Sequence, residues 1–417
     1  MKAVGIVAEY NPLHNGHIYH MKKARDLSGA DAVVVAVSGD FVQRGMPAVF
    51  DKWERARQAL MCGADLVVEI PVLYCLGNAG QYAGAGVQIL ESLGPVTHIA
   101  FGSESGNADA ISAAADFIKE NAGTMRDLII RGMAEGLNYP KARARAYAEL
   151  GGPSGGILPD SPNDILALEY ISAMKRAKPL AVPRAGAGYH DRCSPDEIFQ
   201  SASGIREMIR NGSDISGLVP ECTAAGLRAG QSTLNEECEA RLFDLVRYAV
   251  MSRSPEWTDD CPSGGEGLGN LLRRFAPEAG SLDELILSVK SKRYTYTRLS
   301  RLCMQVLLGI TRSEYYPEGY INSGQIPGPG YVRVLGFSDS GRGLLAEIRE
   351  NESAAAKVIT NINKEAEYLD ERNRRILKLD VHAADIYSLA AGREIALCSD
   401  HRQRPVIISG HRKTADQ

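Results

Sequence analysis

A short apolar run near the beginning of the chain leads through a loop into a histidine motif. The run covers Ala3 to Ala8, and an uninterrupted aliphatic stretch of this length is typical of a buried parallel strand. The loop Glu9 to Leu13 follows it, and His14-Asn15-Gly16-His17 then stands directly before the helix-like stretch Ile18 to Leu27. A strand, a loop and a helix in this order predict an open α/β sheet with a ligand site at the carboxyl end of its first strand.

The residues of this motif suit an anion such as a polyphosphate. Gly16 allows close approach of the backbone, and the first turn of a helix offers N–H groups that have no partner within the helix. His14 and His17 lie on one side of that turn, where a neutral imidazole donates to phosphoryl oxygens and a protonated one offsets developing negative charge. Two histidines at a helix start can also merely cap the helix or bind adventitious metal, so both interpretations stay open on these residues alone.

The length and composition indicate a large globular enzyme. A chain of 417 residues is too long for one ordinary core and favours two or three domains, and its 44% hydrophobic and 24% charged residues are normal for such a protein. No apolar stretch approaches the ~20 residues that cross a bilayer, and Met1-Lys2 leads into a strand rather than a signal sequence. We therefore expect a cytoplasmic protein without a membrane partner.

Charge and cysteine usage exclude two further classes. A net charge of −4 argues against indiscriminate coating of nucleic acid, although it allows a local basic face. The eight cysteines are scattered without any Cys-x-x-Cys pair, so we expect reduced thiols and predict no metal site.

Alternating strand and helix patterns predict a doubly wound parallel sheet, a Rossmann-like α/β fold, for residues 1–212. Further strands are predicted at Ala32 to Val37, Leu66 to Ile70, His98 to Phe101 and Leu180 to Pro183. Residues 213–326 are predicted to form a mainly helical domain, and residues 327–417 a small mixed α+β subdomain.

Two helix starts are marked clearly. Asp51 and Glu54 form a capping box for a helix from Lys52 to Met61. Ser161 is predicted to cap a second helix, in which Pro162 is the first residue.

Other residues at strand ends or helix starts are candidates for binding a nucleotide. Ser201, Ser203 and Arg206 precede or begin a short helix and offer hydroxyls and a guanidinium to phosphates, although a serine there is usually only a cap. Gly102 ends one predicted strand and allows a base or ribose to approach the backbone, although such glycines are often only turns. Arg184 follows another strand in a glycine-containing loop, for which an ordinary loop is the alternative.

A basic and aromatic cluster stands in the second half of the chain. Cations and rings that alternate in this way suit single-stranded or looped RNA, whose phosphates are neutralised and whose bases stack, whereas the alternative is a solvated helix face. The residues are Lys290, Lys292, Arg293, Tyr294, Tyr296, Arg298 and Arg301.

Taken together, these motifs resemble those of the bacterial tRNA(Met) cytidine acetate ligases, a branch of the His-x-Gly-His nucleotidyltransferases. The likeness runs the full length, and its Asn-Pro-x-His-Asn-Gly-His core is far more specific than a bare His-x-Gly-His. The segments that carry it are Val7 to His17, Ser38 to Pro47, Ala64 to Pro71, Phe101 to Glu104, Ser161 to Asn163, Gly186 to Asp191 and Lys292 to Leu302.

The resemblance implies a reaction in two steps. Acetate attacks the α-phosphate of ATP to give acetyl-adenylate and pyrophosphate, and the exocyclic amine of the wobble cytidine of elongator tRNA(Met) then takes the acetyl group. The product is N4-acetylcytidine, ATP is a substrate, Mg²⁺ is expected and acetyl-CoA is not needed.

The resemblance also assigns residues. His14 and His17 are expected to act on the phosphates as the catalytic pair, and the basic cluster to bind tRNA. The ATP-binding residues that it implies are Val7, Ala8, Glu9, Tyr10, Asn11, Pro12, Leu13, His14, Asn15, Gly16, His17, Ile18, Tyr19, His20, Gly102, Asn163 and Arg184. Asp40 and Asp164 depart from the family pattern, which leads us to expect asparagine, and an acid near a triphosphate repels it unless a cation intervenes.

Two other functions remain as alternatives. A small-molecule adenylyltransferase, acting on a mononucleotide or a phosphopantetheine-like substrate, needs one α/β domain and leaves the rest of the chain unexplained. A non-catalytic tRNA-binding protein would be free to lose His14 and His17. The oligomeric state is not indicated by the sequence.

Overall fold

An eight-stranded, mostly parallel sheet organises the fold. The computed structural model describes residues 1–153, 158, 161–183, 200–320, 326–350 and 356–410. The strands are β1 (Ala3–Ala8), β2 (Ala32–Ser38), β3 (Phe41–Val42), β4 (Met46–Pro47), β5 (Leu66–Ile70), β6 (Val96–Ser103), β7 (Lys178–Pro183), β8 (Tyr331–Ser338), β9 (Lys357–Ile359) and β10 (Val406–Ile408).

The sheet order is β10-β8-β5-β2-β1-β6-β7, with β9 also paired to β8, whereas β3 and β4 form a separate hairpin. The chain runs from β1 to β2 on one side and later to β6 on the other, so β1 lies at the point where the strand order reverses. A crevice at the carboxyl ends of the strands is expected there, and it is the usual ligand site of such sheets.

Helices connect the strands and build the second half of the chain. In the first half they are α1 (Asn15–Ser28), α2 (Lys52–Met61), α3 (Val72–Cys75), α4 (Ala79–Ser92), α5 (Ala108–Glu120), α6 (Ala122–Ala134), α7 (Tyr139–Glu149), α8 (Pro162–Ala173) and α9 (Ala202–Arg210). The following helices are α10 (Glu221–Arg228), α11 (Glu236–Ser252), α12 (Pro255–Asp259), α13 (Leu268–Phe275), α14 (Leu282–Val289), α15 (Tyr296–Leu308) and α16 (Arg312–Tyr315). The last are α17 (Asp339–Glu350), α18 (Ile362–Glu365), α19 (Glu371–Ala390) and α20 (Ile395–Cys398), with a 3-10 helix at Ala366–Tyr368.

These elements confirm the predicted α/β fold and correct some of its boundaries. The first helix begins at Asn15 rather than Ile18, so the histidine motif is itself part of the helix start. Asp51 caps α2, because its carboxylate accepts a hydrogen bond from the Glu54 N–H at 2.8 Å. The Glu54 carboxylate, the other half of the predicted capping box, instead accepts from Arg57 and Gln58.

The two faces of the sheet bury separate apolar cores. In β2, Val33, Val35 and Val37 point to the face covered by α1 and α2, whereas Val34 and Ala36 point to the face covered by α4. This alternation follows from the two-residue repeat of a strand and accounts for the continuous apolar runs in the sequence.

The last segment of the chain contributes strands to the same sheet. β8 pairs antiparallel with β5, and β9 and β10 pair parallel with β8. Strands from residues 327–417 therefore lie in one sheet with strands from residues 1–212. The division of the chain into three domains stays a prediction.

A fully buried ion cluster links residues of the first and last parts of the chain. The ammonium of Lys52 lies 2.8 Å from Glu69 and 2.6 Å from Asp400. The guanidinium of Arg333 lies 3.0 Å from Glu69 and 2.8 Å from Asp400. All four side chains are at most 3% exposed. Water cannot solvate these charges, so each one is stabilised by the opposite charges beside it.

Every helix in the part of the chain that the structure describes is too short or too polar to cross a membrane.

Candidate nucleotide site

The histidine motif forms a reciprocal cap at the start of α1. The ring Nδ1 of His14 accepts a hydrogen bond from the Gly16 N–H at 3.1 Å, and the ring Nδ1 of His17 accepts one from the His14 N–H at 3.2 Å. The two ring centroids are 3.7 Å apart, so the imidazoles lie together at the helix N-terminus.

This cap fixes which nitrogen of each ring carries the proton. A nitrogen that accepts from a backbone N–H has no hydrogen of its own, so the proton of each neutral ring is at Nε2. Both Nε2–H groups are therefore preset as donors beside the positive end of the helix dipole. Capping and anion binding, which the sequence left as alternatives, are compatible in this arrangement.

The loop before the motif is held from outside by two arginines. The buried guanidinium of Arg55 donates to the carbonyl oxygens of Glu9, at 2.7 Å, and of Gly39, and so ties the loop after β1 to the end of β2. The guanidinium of Arg206 donates to the carbonyl oxygen of Asn11 at 2.7 Å. These contacts preorganise the loop without using the faces of the histidine rings.

The Tyr10 ring packs against the ring of His17. The φ of 47° at Tyr10 lies in the left-handed region, which strains a tyrosine, and the ring is buried edge-on to His17 at a centroid distance of 4.8 Å. The peptide bond between Asn11 and Pro12, which follow Tyr10, is cis. This backbone turns the chain sharply between the end of β1 and the start of α1.

Glu9 and the arginines near it give the site its electrostatic character. Burial raises the pKa of Glu9, opposed by a 2.9 Å hydrogen bond from the Gln43 N–H and by the charges of Arg44, Arg206 and Arg55. Burial and the neighbouring Arg44 lower the pKa of Arg206. A cationic environment at the strand ends is what a polyphosphate requires.

The carboxyl end of β6 forms the other wall of the crevice. Asn163, at the start of α8, donates to the Glu104 carboxylate, and Ser161 donates to the same carboxylate at 3.1 Å. Ser161 thus occupies the N-cap position of α8 as predicted, but its hydroxyl contacts Glu104 instead of a helix N–H.

Asp164, which departs from the family pattern, has a local structural role. Its carboxylate accepts hydrogen bonds from the Ser103 hydroxyl and the Ser105 N–H. Burial raises the pKa of Asp164, but these hydrogen bonds outweigh burial and hold it below the ordinary value. A negative charge at this position is therefore compensated within the turn after β6.

Asp40, the second departure, is engaged with the start of α2. It is buried, accepts a hydrogen bond from the Lys52 N–H at 2.8 Å, and lies 3.6 Å from the Lys52 ammonium. Burial raises the pKa of Asp40 to about 6, opposed by Lys52 and supported by Asp400. Its carboxylate therefore holds the start of α2.

The remaining predicted nucleotide residues divide into three groups. Val7 to Leu13 form the end of β1 and its loop, and Asn15 to His20 form the first turns of α1, so the predicted stretch is one continuous wall. Gly102 lies in β6 opposite Val182 of β7. Arg184 lies outside the described residues, and its contact with a nucleotide stays a prediction.

The predicted phosphate contacts at α9 are engaged locally. The Ser201 hydroxyl accepts from the Gly204 N–H at 3.1 Å and lies 3.0 Å from the Ser203 hydroxyl, as in an ordinary helix cap. Arg206, one turn further, reaches the nucleotide loop through Asn11.

The basic cluster lies around the start of α15, and some of its residues are exposed whereas others are partly buried. Lys290, Lys292 and Arg293 are exposed, and Arg293 is 2.7 Å from Glu266. Arg298 donates to the carbonyl oxygens of Ser263 and Gly264 at 3.0 Å each, so its guanidinium supports a loop.

Arg301 and its neighbours connect this cluster to the nucleotide site. Burial and Arg298 lower the pKa of Arg301 to about 10. The adjacent Ser300 donates to the Gly45 carbonyl oxygen at 2.7 Å, on the β3–β4 hairpin whose Gln43 contacts Glu9. The helix that carries the cluster and the nucleotide loop thus contact the same hairpin.

Sequence reasoning missed Arg55, and it marked Arg44 only as the cationic end of the loop after β2, without its proximity to Glu9. Arg55 lies inside α2 among other charged residues, and no local pattern marks it as buried. Arg44 stands in the Ser38 to Pro47 segment, and the β3–β4 hairpin brings its charge close to Glu9.

The chain is similar to known proteins over nearly its whole length. The HIGH nucleotidyl transferase family matches residues 1–400. A tRNA(Met) cytidine acetate ligase of Clostridium perfringens is 35% identical over 98% of this chain and 100% of its own length. One of Lysinibacillus sphaericus is 32% identical over 97% and 100%. The crystal structure of Thermotoga maritima TmcAL bound with alpha-thio ATP superposes with a TM-score of 0.86 and 28% identity, and covers 98% of this chain and 100% of that one.

Proposed function

The chain belongs to the HIGH nucleotidyl transferases and to the tRNA(Met) cytidine acetate ligase family, and on this basis we propose that it acetylates the wobble cytidine of elongator tRNA(Met) with acetate and ATP. The observation that carries the proposal is the pair of imidazoles preset at the start of α1, where the strand order of the sheet reverses. The product is N4-acetylcytidine. We propose that the enzyme works in the cytoplasm, where ATP and tRNA are available.

In the first step acetate oxygen attacks the α-phosphorus of ATP. The bond from that phosphorus to the bridging oxygen breaks, and pyrophosphate leaves with the electron pair. Negative charge grows on the phosphoryl oxygens and on the leaving group, and we propose that His14 and His17 donate to them through Nε2–H, because the cap already engages Nδ1 of each ring. Because the cap fixes these donors beforehand, little reorganisation is needed during the reaction.

In the second step the exocyclic amine of cytidine attacks the acetyl carbonyl carbon of acetyl-adenylate. The carbon–oxygen bond to the phosphate breaks, AMP leaves, and the amine loses a proton. We propose that Asn163 and Arg184 hold the nucleotide during both steps, and that the hairpin Phe41–Pro47 lies between the adenylate and the bound RNA.

We propose that ATP binds as its Mg²⁺ complex. Mg²⁺ takes oxygen ligands and is commonly held by substrate phosphates together with one or two carboxylates. Glu9 and Glu104 are the carboxylates at the two strand ends that flank the motif, so the donor chemistry fits this ion. When bound, the ion would offset charge on the phosphates.

The experiment that tests the activity combines the protein with ATP, Mg²⁺ and labelled acetate, with and without tRNA. We expect pyrophosphate release that depends on acetate and label that appears on tRNA(Met). A requirement for acetyl-CoA, or the absence of label on RNA, would contradict the proposal. His401→Ala is a suitable control variant, because that histidine is exposed and its ring is hydrogen-bonded to the Asn363 side chain on α18.

We propose that the exposed lysines of the basic cluster contact tRNA phosphates. The double variant Lys290→Ala with Lys292→Ala should weaken tRNA binding. It should also reduce the slope of the logarithm of the binding constant against the logarithm of the salt concentration by about two, because each phosphate contact releases about one counterion. Lys119→Ala with Arg126→Ala removes the same charge from exposed positions on α5 and α6 and serves as the control. Binding measured at several salt concentrations decides, and an unchanged slope in the lysine variant would remove these residues from the interface.

A further inference from the structure

Two cysteines that are far apart in the sequence meet beside the nucleotide loop. The Sγ atoms of Cys62 and Cys222 are 3.5 Å apart, although 160 positions separate the residues. Cys62 ends α2 and is half-buried, and Cys222 lies in the first turn of α10. No step of the proposed reaction uses either thiol.

The surroundings of Cys222 favour its thiolate, which is the reactive form. Its position in the first turn of α10 places it at the positive end of the helix dipole. A hydrogen bond from Cys62 lowers the pKa of Cys222 to about 7, with the Thr223 N–H and Arg57 acting in the same direction and burial opposing them.

Contacts on both sides connect this pair to the histidine motif. Thr223, next to Cys222, donates its hydroxyl hydrogen to the Leu13 carbonyl oxygen at 3.1 Å. The segment before α10 contacts the first residue of α1, because Asn15 donates its N–H to Leu218 at 3.1 Å and its side-chain amide to Gly217 at 2.7 Å. The first turn of α10 therefore anchors the loop that presents His14.

We propose that Cys62 and Cys222 form a reversible disulfide when the protein meets a hydroperoxide, and that this disulfide weakens ATP binding by displacing the first turn of α10. Closure requires the sulfurs to approach from 3.5 Å by roughly 1.5 Å, since a disulfide bond is about 2.05 Å long. Thr223 moves with Cys222, and its hydrogen bond to Leu13 lengthens or breaks.

The chemistry balances with one hydroperoxide. The Cys222 thiolate attacks the peroxide oxygen, the O–O bond breaks, and the alkoxide or hydroxide that leaves takes up a proton while Cys222 becomes a sulfenic acid. The sulfur of Cys62 then attacks the sulfenic sulfur, the S–O bond breaks, and water leaves with the Cys62 proton. Two thiols are oxidised and the hydroperoxide is reduced.

The test uses the folded full chain treated with hydrogen peroxide, after which free thiols are alkylated and peptides are mapped by mass spectrometry. We expect a linked peptide pair containing Cys62 and Cys222 that a dithiol reductant separates. Cys62→Ser and Cys222→Ser should each abolish the link. A treated protein in which these cysteines stay as thiols, or are oxidised without linking, would overturn the proposal.

The effect on ATP rests on the proposed function and is measured separately. ATP affinity should fall roughly fivefold or more in the linked protein, recover on reduction, and stay unchanged in peroxide-treated Cys62→Ser. Amide hydrogen exchange over Leu13 to His17 should rise in the linked protein even when no ATP is present. Linkage without this rise would overturn the coupling to the loop, whereas failure of the reduced protein to bind ATP would contradict the proposed function alone.

Discussion

We propose that His14 and His17 each perform two tasks with one ring. One nitrogen of each ring accepts a backbone N–H at the start of α1, and the proposed task of the other nitrogen is to donate to the phosphates of ATP. An alanine substitution would remove both tasks and mix the loss of a helix cap, about 1 kcal/mol, with any loss of catalysis.

Variants that keep the cap separate the two tasks. Asparagine is a good N-cap residue, and glutamine at the third helical position completes a capping box. We expect His14→Asn and His17→Gln to fold with nearly unchanged thermal stability and to lose roughly 10²-fold in acetate-dependent pyrophosphate release. Differential scanning fluorimetry and the pyrophosphate assay measure the two effects. Full activity in both variants would show that the imidazoles act only as caps.

Asp380 predicts a pH dependence of stability. Burial raises the pKa of Asp380 to about 8, supported by Glu69 and opposed by Lys52 and Arg333. The folded protein therefore holds a proton that the unfolded chain, with an ordinary pKa of 3.8, has lost. The contribution of Asp380 to the free energy of unfolding is therefore fully present below pH 3.8 and is lost as the pH rises through about 8.

We expect the melting temperature to fall between about pH 5 and pH 9, and to fall less in Asp380→Asn, whose side chain is permanently neutral. The matched control is Asp244→Asn, at an exposed position on α11. Parallel pH profiles of the wild-type protein and Asp380→Asn would contradict this interpretation.

At the scale of elements, α4 shows how closely the sheet is covered beside the site. Gly86 faces the end of β1, where an added Cβ would lie 2.7 Å from a methyl group of Val7. Gly84, in the same helix, has no atom within 4 Å of such a Cβ.

These two glycines give opposite predictions for the same substitution. Gly84→Ala should stabilise the protein by about 0.5–1 kcal/mol, because alanine favours the helix. Gly86→Ala should destabilise it by about 1–3 kcal/mol, because α4 must shift away from β1. Urea unfolding measures both free energies. Equal stabilisation by the two substitutions would mean that α4 has room to move.

The sequence predicted elements whose signals are local and missed arrangements that depend on distant partners. β1, β2 and β5 are largely apolar runs that are buried over most of their length, so their pattern is continuous and readable. The pairing of β8 with β5 depends on residues at the other end of the chain. The same applies to Arg55, whose acceptors are carbonyl oxygens that no side-chain pattern reveals, and to the meeting of Cys62 with Cys222.

At the scale of the whole molecule, the buried ion cluster makes the first and last parts of the chain depend on each other. Asp400→Ala leaves Lys52 and Arg333 with one carboxylate, Glu69, as their shared close partner. We expect a loss of about 3–5 kcal/mol in the free energy of unfolding, since a buried charge is left uncompensated.

Glu135→Ala is the control for this loss. It breaks the pair with Arg145, in which both side chains are about half exposed, and should cost less than about 1 kcal/mol. Urea unfolding compares the two variants. A small loss in Asp400→Ala would mean that water replaces the missing carboxylate.

The antiparallel pairing of β8 with β5 also has a consequence for synthesis on the ribosome. The strands β1 to β7 emerge first, but the outer edge of β5 stays uncovered until residues 331–338 have left the exit tunnel. During that interval the nascent sheet presents unpaired N–H and C=O groups, which are a template for aggregation. A chain released before β8 is made should therefore be a client for chaperones, and residues 1–212 expressed alone should precipitate.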